Sequence, residues 1–211
     1  ILSQSLVELR PAGQLVNGLE WSAIASMGQN DLTIADALTQ TRRTEPPADV
    51  VRFAKRVAKK QSPHQAALEI CRFVFERMTY KAGVTGVHSV AKEAWANKLG
   101  VCQDYAHIAL GALRSIGIPA RYVSGYFHPD KEPKLHETVQ AESHAWVEWY
   151  VGGSANEGWF AFDPTNNIEV IDRHIVVGKA RDYDDLAPLR GVYAGHVSSE
   201  LLVRVEITRE A

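Results

Sequence analysis

The spacing of apolar residues changes once along this chain, at Gly117, and that change limits the folds open to it. Before Gly117, apolar residues recur every three or four positions, which predicts amphipathic helices over residues 48–60, 62–80, 89–99 and 102–116. After it, segments rich in Val, Ile, Tyr and Trp predict strands over residues 118–127, 144–151, 159–163, 175–179 and 201–207. Because the helices precede the strands, we predict an α+β fold with helices packed on an antiparallel sheet.

The first 47 residues carry only short mixed patterns. Residues 5–9 look extended, and apolar residues over 32–38 have helical spacing. Two prolines, Pro46 and Pro47, end this region, since proline lacks an amide donor and disfavours helix in the residue before it. We therefore predict an N-terminal extension over residues 1–47 and a core over residues 48–211.

The composition is that of an ordinary globular protein of 211 residues, with 45% hydrophobic and 23% charged residues. Lys and Arg number 23 and Asp and Glu 25, so the formal net charge is −2 and a nucleic-acid partner is not expected. No apolar run approaches the roughly 20 residues of a membrane span, and the first residues lack the order of a signal peptide. The first residue is Ile rather than Met, as in a processed or shortened chain. With only Cys71 and Cys102 as cysteines, the sequence predicts a soluble cytoplasmic protein without disulfides.

The segment over residues 99–107 carries the first candidate for chemistry. It places Cys102 in the first turn of a predicted helix, where unpaired backbone amides and the helix dipole favour a negative charge. A thiolate is stabilised there and is a better nucleophile, provided that a base and solvent access accompany it. The local pattern leaves a second interpretation open, because free cysteines are often inert and buried.

Two later segments supply a base and an acid. Alternation over residues 143–149 puts His144 at the start of a strand and facing a defined side. Asp163 ends an apolar strand, where Pro164 keeps it extended. Neighbouring antiparallel strands can bring these two side chains together. The roles then follow: Cys102 is the nucleophile, His144 the general base, and Asp163 the group that orients the imidazole.

Four ordered segments resemble the core of the transglutaminase-like superfamily: GVCQDYAH, GIPARYVSGY, SHAWVEWY and WFAFDPTN. The resemblance covers roughly residues 48–206. A later stretch, GKARDYDD followed by Pro188, Arg190 and Gly191, is similar to a bacterial branch of proposed cysteine proteases.

This resemblance implies a papain-like α+β core with the nucleophile at a helix N-terminus against an antiparallel sheet. It assigns the Cys, His and Asp roles to Cys102, His144 and Asp163. Members of this branch usually carry a β-rich region before the core, so residues 1–47 look like a shortened remnant of one.

An acyl-transfer site also needs hydrogen-bond donors for the developing oxyanion. The backbone amide of Cys102 is the first candidate, and Gln103 or Trp95 is the candidate for the second. Asp104 and Tyr105 either line the cleft or solvate the helix.

Two other residues are predicted to be structural. His107 lies about 140° around the helix from Cys102, since an α-helix has about 3.6 residues per turn. It should therefore point away from the nucleophile. Cys71 falls in an apolar stripe and is expected in the core.

The predicted function is cleavage or transfer of an amide acyl group through a thioester at Cys102, with a peptide or protein amide as substrate and no cofactor. Water as the acceptor makes a peptidase or amidase, which the bacterial branch favours; a lysine amine makes a protein cross-linking enzyme. A non-catalytic module that holds a peptide in the same cleft is the alternative from another class. A zinc site built from Cys102, His107, His144 and Asp163 is disfavoured, because its spacing lacks the short paired intervals of common zinc sites, so no metal is predicted.

Overall fold

The computed structural model describes residues 2–9, 18–27, 31–152, 158–187 and 204–210. The helices in these ranges are α1 (Trp21–Met27), α2 (Leu32–Leu38), α3 (Ala48–Ala58), α4 (Pro63–Arg77), α5 (Ala91–Asn97) and α6 (Cys102–Arg114). The helices predicted from apolar spacing are confirmed as α3 to α6, within a few residues at each end. Within the described ranges, no helix combines the length and apolar character needed to cross a membrane.

The strands are β1 (Thr79–Tyr80), β2 (Leu99–Gly100), β3 (Ala120–Phe127), β4 (Thr138–Ala141), β5 (Ser143–Tyr150), β6 (Trp159–Asp163), β7 (Ile168–Glu169), β8 (His174–Ala180) and β9 (Val205–Thr208). The predicted strands are confirmed as β3, β5, β6 and β8. The end of the predicted strand over 201–207 forms β9, whereas residues 201–203 lie outside the described ranges.

The main sheet has five strands in the order β7-β6-β5-β3-β8, and every neighbouring pair is antiparallel. Alternate residues of β5, among them Val147 and Trp149, are buried in one cluster with Ile108 and Leu113 of α6. The predicted α+β class, with helices on an antiparallel sheet, is therefore confirmed.

The connection between the predicted strands over residues 118–127 and 144–151 contains a further strand. Thr138–Ala141 forms β4 and pairs with β9. The partner strand lies far away in sequence, so no local pattern revealed this pairing.

The central helix α6 is buried along nearly its whole length. It packs against β3 and β5 on the sheet side and against α3, α4 and α5 on the other. Only its first residue, Cys102, escapes full burial. Packing on all sides therefore holds the backbone that carries this cysteine.

Buried hydrogen bonds cross the predicted boundary at residue 47. The guanidinium of Arg114, at the end of α6, donates to the carbonyl oxygens of Ala37, Ala120 and Arg181 and to the hydroxyl of Thr44. Burial lowers the pKa of Arg114 to about 10, so the side chain still carries its charge at neutral pH. The described part of residues 1–47 contains α1 and α2 and no strand.

We expect Gly111→Ala to lower the free energy of unfolding by about 2 to 3 kcal/mol. A Cβ on Gly111 would overlap the carbonyl oxygen of Thr44, a backbone atom that cannot move cheaply. Urea denaturation measures the loss as a lower midpoint at an unchanged slope. Gly86→Ala is the matched control, because a Cβ there meets nothing within 4 Å and should change stability by no more than about 0.5 kcal/mol. Equal effects of the two substitutions would contradict the close packing of α6 on residues 40–46.

Candidate active site

Cys102 is the first residue of α6 and is partly exposed. The turn that leads into it is held by the carboxylate of Asp104, which accepts hydrogen bonds from the backbone N–H of Val101 at 2.8 Å and the hydroxyl of Thr85 at 2.7 Å. A Cβ on Gly100 would lie 2.7 Å from that carboxylate, so glycine is required for the close approach. The motif itself therefore builds the helix start and leaves the sulfur at its open end.

Asp104 caps α6 from inside the protein. Asp104 is 1% exposed, so it neither lines a solvent-facing cleft nor solvates the helix, and neither of the two roles expected for it fits. Burial is the largest influence and raises the pKa of Asp104, against the hydrogen bonds from Thr85 and Val101.

His144, the second residue of β5, links the sulfur to a carboxylate. Its Nε2 lies 2.7 Å from Oδ2 of Asp163, and Cys102 also acts on the ring and favours its charged form. Burial disfavours the charged ring, but Asp163 and Cys102 together outweigh it and raise the pKa of His144 to about 10. An imidazolium therefore lies between Cys102 and Asp163 at neutral pH.

Asp163, the last residue of β6, is 0% exposed and lies among hydrogen-bond donors. Its Oδ1 accepts from the backbone N–H groups of Thr165 at 2.9 Å and Asn166 at 3.2 Å. Its Oδ2 accepts from His144 and from the side-chain amide of Asn166, each at 2.7 Å. Burial alone would raise the pKa of Asp163, but these donors hold it well below its usual range. The carboxylate therefore stays ionised and faces His144.

Sequence reasoning missed two residues of this network. Asn166 follows Asp163 in the segment Asp-Pro-Thr-Asn, whose turn-forming composition could have revealed it. His174 Nε2 lies 3.2 Å from Oδ2 of Asp163. It belongs to β8, on the far side of β5 and β3 from β6, and no local signal connects it to the site.

Tyr80 is a third missed residue, at the edge of the site. Burial raises the pKa of Tyr80, and Cys102 and Glu142 act in the same direction. Pairing of β1 with β2 aligns Tyr80 with Gly100, just before the nucleophile candidate. With 51% of its surface exposed, this phenol borders the open end of α6.

The structure does not support Trp95 as an oxyanion donor. Its indole N–H already donates to the carboxylate of Asp49 at 2.9 Å, and the ammonium of Lys98 lies over its ring. Gln103, 7% exposed, lies beside Cys102 in the first turn of α6. Tyr105 is 2% exposed, and burial raises its pKa to about 12, so it is a packed rather than a reactive group.

The two residues expected to be structural are confirmed as such. His107 is 0% exposed, its Nε2 accepts the backbone N–H of Tyr183 at 3.3 Å, and its ring packs on Tyr122. Burial lowers the pKa of His107 to about 3. Cys71 is fully buried in the helical core, and burial raises the pKa of its thiol.

The zinc hypothesis required Cys102, His107, His144 and Asp163 at one point, but Nε2 of His107 accepts from the backbone of Tyr183, and His107 is absent from the group of donors that converges in the described ranges. Within the described ranges, one group of three could hold a metal ion: donor atoms of His144, Asp163 and His174 lie within 4.8 Å of one another. Hydrogen bonds of both rings to the same carboxylate oxygen account for this convergence without an ion.

The sequence of this chain is similar to those of a known family and of several known proteins. The sequence model of the transglutaminase-like superfamily matches residues 51–164, which include Cys102, His144 and Asp163. An uncharacterized protein of Mycobacterium leprae is 40% identical over 211 residues, 100% of this chain and 74% of that protein. A protein-glutamine gamma-glutamyltransferase of Pseudomonas aeruginosa is 32% identical over 138 residues, 63% of this chain and 20% of that protein.

Among solved structures, that of a proposed cysteine protease from Cytophaga hutchinsonii is similar, with a TM-score of 0.57 and 25% sequence identity. The match covers 74% of this chain and 50% of that chain. The chain therefore spans half of this structure and a fifth of the gamma-glutamyltransferase.

We expect Asp163→Asn to lower the pKa of His144 from about 10 by at least about 2, because burial then acts on the ring without the opposing carboxylate charge. Titration of the His144 ring protons by NMR measures this shift, with the signals assigned by their loss in His144→Gln. Asp182→Asn is the control, since Asp182 is also a buried carboxyl but is bonded to Asp184. A pKa of His144 that stays near 10 in Asp163→Asn would contradict the assigned cause.

Proposed function

Because this chain belongs to the transglutaminase-like superfamily, we propose that it is a thiol enzyme that transfers the acyl group of an amide through a thioester on Cys102. The observation that carries this proposal is the hydrogen bond between His144 and the buried carboxylate of Asp163, together with the influence of Cys102, at the partly exposed start of α6, on the same ring. These residues supply a nucleophile, a proton carrier and an orienting carboxylate.

In the first step, the thiolate of Cys102 attacks the carbonyl carbon of the amide and forms the S–C bond. The imidazolium of His144 gives its proton to the leaving amine as the C–N bond breaks, which leaves a thioester and a neutral imidazole. In the second step, the neutral imidazole takes a proton from the incoming water or amine as its oxygen or nitrogen bonds to the acyl carbon, and the S–C bond breaks so that sulfur leaves as thiolate. Throughout both steps, Asp163 keeps the Nε2 side of the ring occupied, so that Nδ1 faces the reaction.

The oxyanion formed in each step needs donors. The backbone N–H groups of Cys102 and Gln103 lie in the first turn of α6, where no carbonyl of the helix can accept from them. The carboxylate of Asp104 already takes the N–H of Val101 and so orients this turn. We assign these two N–H groups, which have no backbone acceptor in the described part of the chain, to the developing negative charge, which the helix dipole also favours.

The acceptor of the acyl group is proposed to be water, which makes the protein a cysteine peptidase or amidase acting on a peptide or protein amide. Likeness to the proposed cysteine protease from Cytophaga hutchinsonii supports this choice. Transfer to a lysine amine is the second candidate, supported by the relative from Pseudomonas aeruginosa that is a protein-glutamine gamma-glutamyltransferase. Mass spectrometry of products formed from a glutamine peptide in water, with and without a primary amine, distinguishes the two.

A non-catalytic peptide-binding module on the same fold is less well supported. Such a module has no need of a charged imidazole that is hydrogen-bonded to a buried carboxylate and influenced by a nearby cysteine. Keeping this charge in a largely buried position is costly without a use for it.

We expect Cys102→Ala to reduce kcat/KM on cleaved amides by at least about 1000-fold, because no other group can form the thioester. A panel of peptides and glutamine amides measures this, together with selective alkylation of Cys102 by iodoacetamide. Cys71→Ala is the matched control, since its thiol is buried and lies apart from the reacting groups. Unchanged turnover in folded Cys102→Ala would overturn the proposal.

The value of kcat/KM should fall only at strongly alkaline pH. The first step needs His144 in its charged form, and its raised pKa keeps that form present until the pH rises through about 10. The profile of kcat/KM, which reports the free enzyme, should therefore fall only near pH 10. In Asp163→Asn this alkaline limb of the profile should move to lower pH. Circular dichroism at each pH separates this limb from unfolding, and a limb near pH 6.5 in the unaltered protein would contradict the proposed role of the ring.

A further inference from the structure

A second histidine reaches the carboxylate that orients His144. His174 Nε2 lies 3.2 Å from Oδ2 of Asp163, the same oxygen that accepts from His144 at 2.7 Å. The His174 residue is 3% exposed, so this contact lies inside the protein rather than in the cleft. Neither the proposed reaction nor the motif assigns this residue a role.

A close approach of β8 to β3 at Gly125 brings His174 to Asp163. This glycine lies on β3, opposite His144 of β5, at a register shift between β3 and β8. A Cβ on Gly125 would overlap the carbonyl oxygen of Ile175 and come within 2.7 Å of the Trp146 ring. Only glycine therefore allows β8 to approach closely enough for its first residue to reach Asp163.

The ring of His174 is held in one orientation. Its centroid lies 4.6 Å from that of Phe127 and 5.0 Å from that of Trp146, the latter edge to face. Since a carboxylate oxygen only accepts hydrogen bonds, Nε2 must carry the proton of this contact. The other nitrogen, Nδ1, is buried and has no hydrogen-bond partner among the described residues.

The charges that face His174 favour a neutral ring. Burial is the largest influence and lowers its pKa, and the positive charges of His144 and Arg173 act in the same direction. Asp163 opposes them. The ring is therefore a neutral donor with its proton on Nε2, unlike the charged ring of His144.

Three donors now share one oxygen. Oδ2 of Asp163 accepts from His144, His174 and the side chain of Asn166, whereas Oδ1 is anchored by two backbone N–H groups of the following turn. A neutral donor that binds Oδ2 and keeps its own proton reduces the negative charge that acts on His144. It also keeps that oxygen aimed at the ring.

We propose that His174 is a positioning residue, which holds Oδ2 of Asp163 toward His144 and tempers its charge so that His144 can still release its proton. This inference rests on the proposed acyl transfer for its functional meaning. The physical part of the inference is that a neutral His174 acts on His144 through Asp163, and this part can be tested without a substrate.

The test compares His174→Phe with His174→Gln. Phenylalanine fills the aromatic pocket but cannot donate, so the pKa of His144 measured by NMR should rise by about 0.5 to 1. Against any substrate cleaved by the unaltered protein, kcat should fall about 3- to 10-fold with KM changed less than about twofold. Glutamine can place an amide N–H near the position of Nε2 and should restore both values toward those of the unaltered protein.

His107→Gln is the matched control, because it also replaces a buried histidine but one that is bonded to Tyr183. It should leave the pKa of His144 unchanged. An unchanged pKa of His144 in folded His174→Phe, or no recovery in His174→Gln, would overturn the proposal.

A measurement on the unaltered protein covers the case in which His174→Phe does not fold. Nitrogen NMR at pH 7 should show His174 neutral, with a slowly exchanging proton on Nε2 and a bare Nδ1. A charged ring, or a proton on Nδ1, would overturn the inference. An active Cys102→Ala variant would overturn the proposed acyl transfer but would not change these NMR results. Failure of the proposed function can therefore be distinguished from failure of the inference about His174.

Discussion

The ionised carboxylate of Asp163 is the group on which the site depends. A wholly buried charge is unfavourable unless donors surround it, and this one is surrounded by two rings, one side-chain amide and two backbone N–H groups. Its charge then keeps the imidazole of His144 protonated despite burial. Because neither ion is stable at this depth without the other, the polar network and the chemistry of the site form a single unit.

The nucleophile candidate, Cys102, also depends on the buried core for its position. α6 is enclosed by the sheet and by three other helices, and only Cys102 at its first turn reaches the surface. The carboxylate of Asp104 holds that turn from beneath, and Gly100 makes room for it. The core therefore holds Cys102 in place through the short segment from Gly100 to Asp104. The exposed side of Cys102, near Tyr80, is the side that the proposed substrate would approach.

Parts of the site could be predicted from the sequence because they are carried by local patterns. A cysteine at a helix start, a histidine at a strand start and an acid at a strand end are each visible in a few neighbouring residues. Trp95 looked equally suitable, but its indole N–H is used by Asp49, a partner on another helix that no local pattern indicates. His174 was missed for the same reason, since its relation to Asp163 exists only across the sheet.

The sequence by itself determined the α+β class, most helix and strand positions, and the three site candidates Cys102, His144 and Asp163, of which the last two are hydrogen-bonded to each other. Hydrophobic period and capping act over a few residues, so they can be followed along the chain. Only the tertiary structure decided which further donors converge on Asp163, that β4 pairs with β9, and that Arg114 ties the early residues to the core. These features depend on which distant segments the sheet and the buried helix bring together, and on the requirement that each buried charge find its partners there.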